Sequence, residues 1–96
     1  MRPSERLDAH REAVRAIVAA HRASNPRVFG SVARGEDTEA SDLDILIDPT
    51  GRPSLFDIGA IYNELAALLG VEVDILTPNA LPDKFRERVL AEAVPI

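Results

Sequence analysis

Asp42 and Asp44 lie two residues apart in the run Asp42-Leu43-Asp44-Ile45. On a β-strand, residues two apart project from the same face, so both carboxylates leave the chain together while Leu43 and Ile45 enter a core. Carboxylates held side by side repel and raise each other's pKa unless a cation sits between them. Oxygen ligands suit hard cations, and Mg2+ usually takes one or two carboxylates plus substrate phosphates. Asp74, between Val73 and Ile75, alternates in the same way on a later apolar run. If the two strands are neighbours in register, three carboxylates converge. Such a set can hold two metal ions about 3.5–4 Å apart for an in-line phosphoryl displacement. Glu72 shares the Asp74 face and is the alternative third acid.

Gly30-Ser31 supplies a candidate phosphate cradle, with ten residues between it and Asp42. The pair follows a short apolar strand and opens a predicted helical turn, where free backbone N–H groups favour anions. Glycine allows close approach of backbone, and the Ser31 hydroxyl can hydrogen-bond a phosphate oxygen. Arg34 either reaches the same phosphate or pairs with Glu36 or Asp37. Asp48 is expected as a loop acid, His10 and His21 as packing or surface residues, and Tyr62 as core or interface. Arg11, Arg15 and Arg22 read as a solvated face.

Positioning these groups requires alternating helices and strands. The spacing predicts a helix from about Ser4 to Ala23, capped by Ser4 and broken by Ser24-Asn25-Pro26. A short strand over Arg27 to Phe29 ends at Gly30, and Ser31 to Ala40 holds one helical turn and a loop. A second strand covers Asp42 to Asp48. Ser54 and Asp57 form a capping-box-like start to a helix whose apolar face uses Phe56, Ile61, Leu65, Leu68 and Leu69, with Gly70 just past its end. A third strand spans Val71 to Leu76. A last helix, about Leu81 to Glu92, places Leu81, Phe85, Val89 and Ala93 four apart before Pro95 stops it. The expected fold is α/β (α+β), a small mixed sheet of about three to four strands flanked by helices.

Composition narrows the function. The 96 residues are 46% apolar and 28% charged, which suits one compact domain over residues 1–96. A net charge of −5 speaks against a dedicated nucleic-acid binder. The absence of cysteine excludes disulfide scaffolds, zinc fingers and thiol catalysis. No apolar run reaches the roughly 18–20 residues of a membrane span. Met1-Arg2-Pro3-Ser4 leads into charge, not into the apolar core of a signal peptide, so a soluble, cytoplasmic protein is expected.

Gly-Ser, ten residues, then Asp-x-Asp resembles the signature of the DNA polymerase β-like nucleotidyltransferase superfamily. The fuller run from Gly30 to Ile47 and the Val73 to Thr77 strand resemble its minimal nucleotidyltransferase (MNT) branch. That resemblance implies that Gly30 and Ser31 hold nucleotide phosphates, and that Asp42 and Asp44 bind two Mg2+ ions. Asp74 would complete the catalytic metal site and help deprotonate an attacking hydroxyl. It implies transfer of a nucleoside monophosphate from an NTP to a hydroxyl, with release of pyrophosphate. MNT proteins of this size resemble antitoxins of HEPN ribonuclease toxins, moving AMP from ATP onto a toxin tyrosine. The alternatives are a non-catalytic antitoxin that masks its toxin, or a small-molecule nucleotidyltransferase completed by a partner subunit. Base preference and self-association stay open.

Overall fold

The computed structural model describes residues 1–52 and 54–96. Helix α1 (Pro3–Ala9) and helix α2 (Arg11–Ala20) precede strand β1 (Ala23–Phe29) and the short helix α3 (Gly30–Ala33). Strand β2 (Leu43–Pro49), helix α4 (Leu55–Leu69) and strand β3 (Val73–Leu76) follow. A 3-10 turn over Pro78–Ala80 leads into helix α5 (Asp83–Glu92) and strand β4 (Val94–Pro95). The sheet order is β3-β2-β1-β4. β1 runs antiparallel to β2 and β4, and β2 runs parallel to β3. The expected mixed sheet is present with four strands.

Alternation along β2 explains the layering. Leu43, Ile45 and Ile47 are fully buried in one cluster with Val14 and Val18 of α2 and with Ile61, Leu65 and Leu69 of α4. Leu46, also fully buried, points the other way and packs with Phe29 and Leu81. Helix α4 starts as the sequence predicts: Ser54 Oγ accepts the Asp57 N–H, and the Asp57 carboxylate accepts the Ser54 N–H at 2.8 Å. Gly70 ends it at φ 67°, a conformation in which most side chains are strained.

Several expectations fail. The single N-terminal helix is broken at His10, which leaves α1 beside α4 and α2 against β1. Ser4 lies inside α1, whose cap is Arg2, with the Glu5 carboxylate accepting the Arg2 N–H at 2.9 Å. Helix α2 stops at Ala20, and β1 begins at Ala23 because a bulge between Ser24 and Arg27 absorbs Asn25-Pro26. Strand β3 starts at Val73, two residues later than expected. Phe56 is 89% exposed and Phe85 47%, so neither belongs to the apolar face assigned to it. Pro95 does not simply stop the last helix: with Val94 it forms β4, which holds the chain end against Arg27 and Val28. Among the described residues no helix is long and apolar enough to cross a membrane.

Candidate active site

Phe29 hands the chain from β1 to Gly30, and the β1–β2 register sets Phe29 opposite Asp44. Gly30 has φ +72°, and a Cβ built there would overlap Asp44 Oδ2. Glycine is therefore required for the backbone turn, and it also lets the Asp44 carboxylate approach without shifting. Gly35, also at positive φ, turns the chain after α3.

The parallel pairing of β2 with β3 places Asp44 directly opposite Asp74. Glu72 lies outside the strand and instead accepts a hydrogen bond from the Tyr62 hydroxyl at 3.1 Å. Tyr62 is thus exposed at the rim of the site and not in the core. Asp42 sits one residue before β2 and is exposed. The Asp44 carboxyl is pushed up from 3.8 to about 6, first by its burial, then by the charge of Asp74, a proton shared with it, and the charge of Asp42. Arg34 opposes the shift. Among the described residues no three acids or histidines are already gathered at metal-binding distance. Of the three carboxylates expected to converge, Asp44 and Asp74 are register partners, whereas Asp42, expected within the strand, lies just before it and is exposed. A half-buried carboxyl pressed by like charges makes this group of acids a donor set suited to a hard cation, which would relieve the repulsion.

Arg34 pairs with Glu36 at 3.0 Å, as one of the expected alternatives held, but not with Asp37. Its second partner is one that sequence reasoning missed. Glu92, at the end of α5, accepts Arg34 Nη1 at 2.7 Å and the Gly30 N–H at 3.0 Å. Arg34 holds the Glu92 carboxyl below its ordinary range, overriding the opposing effect of burial, with the Gly30 N–H assisting. No spacing in the sequence links residues 62 apart.

Asp37 serves the scaffold. Only 5% exposed, it accepts the Ser4 N–H at 2.9 Å and so caps α1 from the loop that leads to Asp42. Burial pushes its pKa up, but the hydrogen bonds from Ser4, its own backbone and the charge of Arg2 outweigh that and hold it below 3.8. Asp48 accepts from Arg27 Nη2 at 2.5 Å and Asn25 Nδ2 at 2.9 Å, within β2 and not in a loop. His21 meets Glu64, and His10 is exposed. Arg11 and Arg15 reach the carbonyls of Pro95 and Ile96, so they anchor the chain end as well as facing solvent. A hollow of about 190 Å3 lined by Leu7, Val28, Val32 and Val94 among others lies on the helical side of the sheet and contains none of the three aspartates. Its small volume does not suit a triphosphate.

Known proteins resemble this chain in sequence and fold. A solved structure described as a "putative minimal nucleotidyltransferase" has a TM-score of 0.87 and 47% identity, covering 97% of this chain and 95% of that one. Protein adenylyltransferase MntA of Thermococcus cleftensis is 43% identical over 67 residues, 70% of this chain and 68% of that protein. A toxin–antitoxin complex crystallised with AMP-PNP contains a chain of the same fold, with a TM-score of 0.70 at 17% identity, covering 83% of this chain and 66% of that one. The nucleotidyltransferase domain family matches residues 8–96, and the chain belongs to that family.

Proposed function

We propose that this nucleotidyltransferase is a Mg2+-dependent protein adenylyltransferase that moves AMP from ATP onto a tyrosine hydroxyl of a HEPN ribonuclease toxin, and so acts as its antitoxin. The observation that carries this reading is the placement of Asp74 opposite Asp44 beside the Gly30 turn. A relative named protein adenylyltransferase supports the choice of AMP and of a protein acceptor. Shared fold with a toxin–antitoxin chain is consistent with the partner.

Gly30, Ser31 and Arg34 are the groups that would orient the triphosphate, by a backbone N–H, a hydroxyl and a guanidinium. Asp42, Asp44 and Asp74 would hold two Mg2+ ions, which supply charge neutralisation at the phosphates and make the acceptor hydroxyl more acidic. The acceptor oxygen forms its bond to the α-phosphorus as the bond to pyrophosphate breaks, and the hydroxyl proton passes to the Asp74 carboxylate.

Co-expression with the partner, followed by incubation with labelled ATP and Mg2+, tests the reading. Wild type should label the partner, and the Asp42→Asn/Asp44→Asn double variant should lower labelling by at least about 100-fold. Equal labelling by both sinks it. Rescue from toxicity by a variant that no longer labels would favour masking instead.

A further inference from the structure

We propose that the Glu92 carboxylate is an internal substitute for a substrate phosphate, and that its displacement sets how tightly this site takes a nucleoside triphosphate. The inference rests on the reading of Gly30 and Arg34 as triphosphate-orienting groups given above.

Glu92 makes the contacts that a phosphate would seek. Oε2 accepts the Gly30 N–H and Oε1 accepts Arg34 Nη1, one oxygen on each donor. Charge-assisted hydrogen bonds of this kind are the strong ones, for carboxylate and phosphate alike. The Glu92 side chain is only 21% exposed, against 48% for Arg34. A single N–H cannot serve a carboxylate and a phosphate oxygen together at full strength, so one anion must give way.

Placement of Glu92 is built into the fold. It ends α5, and two residues later Val94–Pro95 pairs with β1 at Val28 and Arg27, just ahead of Gly30. The Ile96 N–H adds a bond to Pro26 O at 3.0 Å. The helix end is therefore tied to the strand that carries the cradle. An acid in the last turn of a helix faces the negative end of the helix dipole, which is unfavourable by itself. Glu92 is held there by the Gly30 and Arg34 donors. Rotation of one terminal side chain is enough to free them, without unpairing β4.

Calorimetric titration of the full chain with ATP and Mg2+ tests the proposal. Glu92→Gln keeps the size and loses the charge, and it should bind ATP about tenfold more tightly than wild type. Glu92→Ala should do so as well, and inorganic triphosphate with Mg2+ should show the same order. Both variants remove an acid from a helix end, so neither threatens folding. Equal or weaker binding by both variants, with clear binding by wild type, overturns the proposal and leaves the nucleotidyltransferase site standing; weaker binding would make Glu92 a residue that positions Arg34. Absence of ATP binding in wild type and variants alike overturns the triphosphate-site reading, and the proposal with it.

Discussion

The two faces of the sheet are built from the same three strands and treated in opposite ways. On the helical face, Val28, Leu43, Ile45, Ile47 and Val73 are closed over by α1, α2 and α4. On the other, Phe29 and Leu46 lie under α5 and the turn before it, and the same rows continue into Asp44 and Asp74. Strand β2 joins the faces, since Leu43 and Ile45 flank Asp44. Stability is concentrated on one side, and that surplus allows like charges to be gathered on the other.

Breaking the closed face should have the largest effect. Ile45→Ala removes a fully buried side chain from the middle of β2. It should cost about 3 kcal/mol, read from urea unfolding. A cost below about 1 kcal/mol would mean that the helical face does not carry the fold.

The open face should respond with the opposite sign. Asp44 has its carboxyl raised from 3.8 to about 6, so between those pH values the folded chain binds a proton that the unfolded chain has lost. The stability linked to Asp44 therefore rises as pH falls through about 6, and at pH 7 the ionised group is a burden. Asp44→Asn should raise stability at pH 7 by about 1 kcal/mol, once screening at the partly open face is allowed for. That corresponds to a Tm higher by roughly 4–8 °C in metal-free buffer. AMP transfer should be lost in the same variant. A lower Tm would show that the carboxylate supports the fold instead of burdening it.

The two faces were not equally legible in the sequence. Period-two alternation set Leu43, Ile45 and Ile47 inward, and the ten residues between Ser31 and Asp42 brought the cradle and the carboxylates into one strand–turn–strand unit. Asp74 needed more. Alternation assigns it a face but cannot say which strand is its neighbour, so only the parallel β2–β3 register decides between it and Glu72. Phe56 fails for a reason that helical geometry contains: five residues before Ile61, it is turned about 140° away from it. The break at His10 has no glycine or proline to announce it, and follows from distant ties. Ser4 is held by Asp37, and Arg6 reaches Leu69 O at 3.2 Å. Glu92 was invisible because its partners come from the other end of the chain.

Asp37 offers the smallest and most discriminating test of the contrast, because it is a buried carboxyl with the opposite sign to Asp44. Its pKa lies below 3.8, so it stabilises the fold above that pH and the benefit disappears as pH falls through the lowered value. Asp37→Asn keeps an acceptor for the Ser4 N–H but loses the charge beside a helix N-terminus, at a cost of about 0.5 kcal/mol at pH 7. That cost should hold between pH 7 and pH 5 and shrink below about pH 4, whereas the gain from Asp44→Asn should shrink already as pH falls below about 6. Thermal unfolding of wild type and both variants across this range separates the two carboxylates. If both differences faded in the same pH window, the division between a carboxyl that supports the scaffold and one that burdens it would fail. If they fade in the expected order, the loop from Gly35 to Asp42 joins a stabilising acid at one end to a destabilising cluster at the other. Asp37 then helps secure the scaffold on which the Asp44 and Asp74 charges are held together.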